Sequence, residues 1–165
     1  MTDTHYAMVP SPLGDLLITS DSTALTRLYL PSDRRTPASP DPSWKPVSDA
    51  VLTETARQLT AYFAGELTEF DLPLAAAGTE FQHKVWAALC AIPYGTTATY
   101  GEIAAKIGAP TASRAVGLAN GRNPIAIVVP CHRVIGANGS LTGYAGGLAT
   151  KQHLLALESG LPLAV

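Results

Sequence analysis

The spacing of apolar and polar positions changes character along the chain. In the first 30 residues, "HYAMV", "DLLITS" and "ALTRLYL" are short apolar-rich runs separated by the turn-forming stretches Ser11-Pro12-Leu13-Gly14 and Asp21-Ser22. They predict three strands of a meander over 5–9, 15–20 and 24–30. Pro31, Pro37, Pro40, Pro42 and Pro46 then predict a loop over 31–46. From 48 to 64 the period lengthens: Val51, Leu52, Leu59, Tyr62 and Phe63 recur as on one face of a helix, and Gly65 stops it.

Beyond "DLPLAAAG" the helical period dominates. Thr79 and Gln82 have capping-box spacing, and Phe81, Val85, Leu89 and Ile92 follow at helical intervals until Pro93 and Gly95. Thr99 and Glu102 form a second such box, opening a short helix through Ile107 that Gly108 ends. Pro110 suits the first turn of another helix, "PTASRAVGLAN", ending near Gly121. Two short helices across a tight glycine-containing turn follow helix-turn-helix grammar, a weak signal that many helical hairpins share. The second helix carries Ala112, Ser113, Ala115, Gly117 and Ala119, with Arg114 as its only charge. Such a helix suits close approach to DNA without base reading, or equally tight packing on its neighbours with Arg114 solvated. The pattern predicts an α/β (α+β) chain. Its first part is a small antiparallel sheet with a helix; its second is mostly helical and contains the helix-turn-helix.

At 47% hydrophobic and 15% charged, the 165 residues have enough apolar material for a core. No apolar run reaches the length of a membrane span, and no signal peptide is predicted. Net charge is −2, but it is divided: residues 1–80 hold 5 Lys+Arg and 11 Asp+Glu, residues 81–165 hold 6 and 2. The basic second half could meet phosphate; chance asymmetry explains the numbers as well. Two cysteines make neither a disulfide framework nor a zinc pattern, which predicts a reducing, cytoplasmic setting. His5, His83, His132 and His153 show no paired ligand spacing, so no metal site and no cofactor are expected.

The chemistry concentrates in "NPIAIVVPCHRVIG". Ile125 to Val129 predicts a buried strand, Pro130 ends its pairing, and Cys131 and His132 stand at its mouth. A cysteine is nucleophilic as its thiolate and needs a base or positive charge nearby, which His132 and Arg133 offer. Adjacent residues on a strand point apart, so a direct contact would need a turn or an intervening water. The only acid after Glu102 is Glu158 in the last helix, although an acid from the first half stays open as a partner for the histidine. A buried cysteine is often only a small hydrophobe, the reading we give Cys90. "GANGSLTGYAGG", with five glycines and Tyr144, is either a loop that lets a flat ligand approach or a long turn.

Together "IPYGTTATYGEIA", "SRAVGLANGRNP", "PCHRVIGANGSLTGYAGG" and the Glu158 helix resemble the O6-alkylguanine-DNA alkyltransferases, over roughly residues 77–160. The resemblance implies an N-terminal α/β, RNase H-like domain over 1–76 and a DNA-binding, alkyl-transfer domain over 77–165. It makes Cys131 the alkyl acceptor, deprotonated by His132 through a water, with Glu158 supporting that histidine. Asn123 would tie the helix-turn-helix to the active-site strand. Arg114 would enter the base stack from the minor groove beside Ala112 and Ser113. Tyr100 would rotate the 3′ phosphate and protonate the departing guanine. Val134, Tyr144, Ala145 and Gly146 would line the base pocket, with Asn120 at a guanine-facing position. The implied partner is duplex DNA containing O6-alkylguanine, handled by a monomer, with cooperativity on DNA and activity on O4-alkylthymine left open. No membrane is involved. The rivals are a non-catalytic alkylated-base-binding relative, which would lack the cysteine, a helix-turn-helix regulator and a cysteine hydrolase.

Overall fold

The computed structural model describes residues 3–141 and 143–160, in two compact units, Met1–Ala77 and Gly78–Val165. In the first unit, β1 (His5–Val9), β2 (Leu16–Ser20) and β3 (Leu25–Tyr29) form an antiparallel sheet in sequence order, with Ala7 opposite Ile18 and Ile18 opposite Leu28. The central strand β2 is buried at every position, which is why "LLITS" does not alternate. Residues 31–46 form no helix or named strand; Lys45 makes an isolated bridge to His5. Helix α1 (Ala50–Phe63) is capped by Asp49, whose carboxylate accepts from the Leu52 N–H, and buries Leu52, Thr55, Gln58, Leu59 and Tyr62. Gly65, at φ +76°, takes the left-handed conformation that closes the helix, a cheap one for glycine.

The second unit is mainly helical: α2 (Glu80–Cys90), α3 (Tyr100–Lys106), α4 (Ser113–Gly121) and α5 (Leu148–Ser159). Both predicted capping boxes form, at Thr79–Gln82 and Thr99–Glu102, each closed in both directions. Two-residue strands β4 (Ala98–Thr99) and β5 (Val134–Ile135) pair in parallel. The Trp86 indole N–H donates to the Ala119 carbonyl, pinning α4 to α2 through a buried bond of 2.9 Å.

Three expectations need correction here. Cys90, read as a small buried hydrophobe, is exposed at the end of α2. The second helix of the hairpin starts at Ser113, not Pro110. Pro110 and Thr111 instead occupy the centre of a β-turn, closed by the Ala112 N–H on the Ala109 carbonyl at 2.9 Å. Proline's fixed φ suits that turn position as well as it suits a first helical turn. The run Ile125–Val129 is buried as expected but is not a strand. It folds back on itself, with the Val129 N–H on the Ile125 carbonyl at 3.0 Å and Ile127 at φ +71°. A wholly apolar run reports burial and says little about backbone shape. A β-branched residue in the left-handed region costs on the order of 1–3 kcal/mol and needs its surroundings to hold it there.

Candidate active site

Asn123 supplies part of that hold. It follows the end of α4, and its side chain brackets the coil: Nδ2 donates to the Val129 carbonyl at 2.8 Å, and Oδ1 accepts from the Ile125 N–H at 3.0 Å. The amide is 2% exposed, so each bond is shielded from water. The bracket delivers the chain to Pro130, after which Cys131–Arg133 form one turn of 3-10 helix. The turn settles a problem of direction. On a strand, Cys131, His132 and Arg133 would alternate between faces; on the 3-10 turn all three are buried within one unit.

His132 is wholly buried, and its Nε2 lies 2.7 Å from Oε2 of Glu158, brought in by α5. Arg133 grips the same carboxylate with two bonds, Nε to Oε1 at 2.7 Å and Nη2 to Oε2 at 3.1 Å, and donates through Nη1 to the Ile92 carbonyl. Its guanidinium also stands 5.7 Å from the centroid of the Tyr94 ring. With Arg133 pairing it, Glu158 is an acceptor, so the proton of the shared bond belongs to His132 Nε2. Nδ1 is then the bare nitrogen of a neutral ring, buried and without a hydrogen-bond partner among the described residues. Burial pushes the His132 pKa below the ordinary 6.5; the Glu158 hydrogen bond and charge oppose that, while the Arg133 and Lys151 cations add to it. A neutral imidazole with a free acceptor nitrogen is equipped to take a proton.

Cys131 is 6% exposed and is not in a disulfide. Its carbonyl accepts a long bond, 3.4 Å, from Asn120 Nδ2. Asn120 is buried, and its Oδ1 has no hydrogen-bond partner among the described residues. Helix α4 therefore carries exposed Arg114 on one side and, on the other, a side chain that touches the backbone of the thiol residue. Tyr100, Ser113, Arg114 and Gly117 line an open cavity of about 390 Å³ where α3 meets α4, with the Tyr100 ring 3.8 Å from a Cβ built on Gly117. Ala112, the residue before α4, is half-buried. Val134 lies on β5, directly after the 3-10 turn. Tyr144, Ala145 and Gly146 occupy the loop before α5; Ala145 is exposed, Gly146 buried and Tyr144 half-buried.

Two buried cations at the site were not among the candidates. Arg133 was read only as local positive charge, although its place beside His132 holds the Glu158 carboxylate from a second direction. Lys151, fully buried on α5, donates to the Val134 carbonyl at 2.6 Å. Burial pushes its pKa down, and a charge on Cys131 works the other way. Helical periodicity offered a hint, because Lys151 stands three residues before buried Leu154 and seven before Glu158 on the same face.

Comparison with known proteins places both parts of the chain in one family. Residues 4–76 match the family model of the 6-O-methylguanine DNA methyltransferase ribonuclease-like domain, and residues 80–160 that of the 6-O-methylguanine DNA methyltransferase DNA binding domain. A methylated-DNA–protein-cysteine methyltransferase of Methanosarcina acetivorans is 57% identical over 154 residues, 93% of this chain and 97% of the relative. One from Mycobacterium tuberculosis is 55% identical over 160 residues, 93% and 92% of the two chains. The crystal structure of Mycobacterium tuberculosis OGT in complex with DNA superposes with a TM-score of 0.87 at 52% identity, covering 94% of this chain and 93% of the other.

Proposed function

This chain belongs to the 6-O-methylguanine DNA methyltransferase family, and we propose that Cys131 is the residue that takes the alkyl group from O6-alkylguanine in duplex DNA. The protein is a DNA-repair methyltransferase whose partner is DNA. One observation carries the assignment of roles: His132 is fixed through Nε2 to Glu158, which leaves Nδ1 as a buried acceptor one residue from a buried thiol.

In duplex DNA the alkylated O6 lies on the major-groove edge of a stacked base, out of reach of a helix in the minor groove and of a buried thiol, so the base must be flipped out, at a cost of a few kcal/mol. Arg114 fills the gap that the base leaves, and Tyr100, across the same groove, meets the neighbouring phosphate. Tyr144, Ala145, Gly146 and Val134 surround the flipped base, and the buried Oδ1 of Asn120 offers it an acceptor. The Cys131 proton passes to His132 Nδ1 through a bridging water. Glu158 and Arg133 stabilise the resulting imidazolium and fix its orientation, and Lys151 stabilises the thiolate. Sulfur attacks the alkyl carbon, the carbon–O6 bond breaks, and guanine leaves with its electron pair, protonated by Tyr100. The product is a thioether, with no leaving group that water can displace, so each molecule reacts once.

We assign DNA contact and alkyl transfer to residues 77–165 and read residues 1–76 as the accompanying RNase H-like domain. Neither cysteine is in a disulfide, which supports a reducing compartment, the cytoplasm. No helix among the described residues is long and apolar enough to cross a membrane. We read the acting species as a monomer.

Incubation of the full chain with duplex DNA containing O6-methylguanine, followed by peptide mass spectrometry, tests the assignment. One methyl group on Cys131, at a stoichiometry no greater than one, is expected. Methylation elsewhere, or repeated turnover, overturns it. Arg114→Ala should slow repair of the duplex by at least about tenfold, the loss of one DNA-inserting contact, and spare reaction with a free O6-alkylguanine base. Equal losses on both substrates would place Arg114 in the chemistry or the fold instead.

A further inference from the structure

Helix α4 carries a feature that the transfer chemistry does not use. Leu118, in the middle of the helix, is 64% exposed, the most exposed large hydrophobic side chain among the described residues. Val116, Ala119 and Asn120 take the buried side of α4, while Ser113, Arg114, Ala115, Leu118 and Gly121 are exposed, as is the capping residue Arg122. Arg114, Leu118 and Arg122 are spaced four residues apart, so they form one ridge of about 12 Å along the helix. No ion pair among the described residues engages either arginine.

A single exposed leucine on a surface is ordinary and calls for no explanation. This one is centred between two solvent-exposed cations, and the cation at one end lines the groove shared with Tyr100, Ser113 and Gly117. The rest of the exposed surface of α4 is small, Ser113, Ala115 and Gly121, so nothing stands between Leu118 and whatever the helix approaches. With Arg114 entering the base stack at one end, the cation at the other end of such a ridge meets phosphate. Between them lie sugars and base edges, where apolar side chains, leucine among them, are the wedges that minor-groove proteins use.

We propose that Arg114, Leu118 and Arg122 form the DNA-seating ridge, in which Leu118 is a second, apolar wedge beside the base step that Arg114 enters and Arg122 binds a backbone phosphate. The proposal rests on the alkyltransferase reading and adds to it a contact that lowers the cost of opening the stack. Leu118 positions DNA and takes no part in the chemistry.

Fluorescence anisotropy with duplex DNA containing O6-methylguanine, over a series of salt concentrations, separates the contributions. Leu118→Ala should bind about tenfold more weakly, for partial loss of three buried carbons, with the slope of log affinity against log salt unchanged. Leu118→Met should keep the wild-type affinity within about twofold, since it preserves apolar volume. Arg122→Ala should lower the salt slope by about one. Leu118→Ala binding like the wild type overturns the proposal, as does restored binding in Leu118→Gln, which would show that size rather than apolar character matters. A lowered Tm accompanying the weaker binding of Leu118→Ala also overturns it, because alanine at an exposed helical position should not destabilise. A wild-type chain that transfers no methyl group defeats the underlying reading; transfer by the wild type, with Leu118→Ala binding undiminished, defeats only this inference.

Discussion

Asp49 in the first unit and Glu158 in the second each hold a histidine at hydrogen-bond distance, 2.8 Å to His5 and 2.7 Å to His132. Asp49 spends its oxygens on the architecture around it. One caps α1 through the Leu52 N–H, and the other accepts from Ser20 as well as His5. Burial alone would raise its pKa, but the bonds from Ser20, Leu52 and His5 overcome that and hold it below the ordinary 3.8. The His5 side chain keeps 17% of its surface exposed, whereas that of His132 keeps none. Around Glu158 stand a guanidinium, an imidazole with a bare nitrogen and, one residue along, a thiol. An acid–histidine pair is therefore no mark of chemistry by itself. What distinguishes the second pair is that its histidine retains an unfilled acceptor in a dry place next to a nucleophile.

Breaking each pair should show the difference. Glu158→Ala should have the largest effect, because it strands a buried guanidinium and orphans His132. A stability loss of about 3–5 kcal/mol is expected from denaturant unfolding, with transfer slowed by about 10²–10⁴ in rapid-quench kinetics because the base loses its orientation. Asp49→Ala should cost about 2 kcal/mol, for a lost helix cap and two partners left unpaired. Single-turnover transfer by the folded fraction should not change; a slowed chemical step would mean that the first pair has a catalytic role after all.

Lys151→Met keeps the stem packed in place and removes the charge. It should slow transfer by about tenfold, or ~1.4 kcal/mol in the barrier, and should shift the alkaline-side pH profile of thiol alkylation upward. A lowered Tm with an unmoved pH profile would mean that Lys151 serves only the Val134 carbonyl. The smallest effect is on stability against pH. His132 has a folded pKa below 6.5, so below that pH the unfolded chain binds the extra proton first and stability falls as the solution is acidified. Asp49 is shifted in the same direction but in a more acidic window: its contribution is present above 3.8 and is lost only as pH falls through its depressed folded value. Thermal unfolding between pH 7 and pH 5 should therefore weaken in the wild type and be flatter in His132→Gln, with Asp49→Asn showing the wild-type slope in that range.

Local chemistry accounts for how much of this could be read in advance. Capping boxes at Thr79 and Thr99, the left-handed glycine at 65 and the meander strands each depend on residues within a few positions, and all formed where the spacing put them. Pro110 was legible as a special residue but not as a turn residue rather than a first helical one, since its fixed φ suits both. The run before Cys131 was legible as buried and misread as extended. Its path depends on a side chain outside the run, Asn123, whose amide bonds both ends of the coil.

By itself, then, the sequence determined the elements whose signals are local, and it brought the thiol, the imidazole and one distant acid into view as candidates. Only the tertiary structure decided their relation. It turned 131–133 into a 3-10 turn, spent Nε2 of His132 on Glu158, and buried Arg133 and Lys151 within the same site. Spacing along a chain reports periodicity, but which nitrogen of a ring stays free depends on which groups from other elements arrive, and on how completely water is kept out when they do.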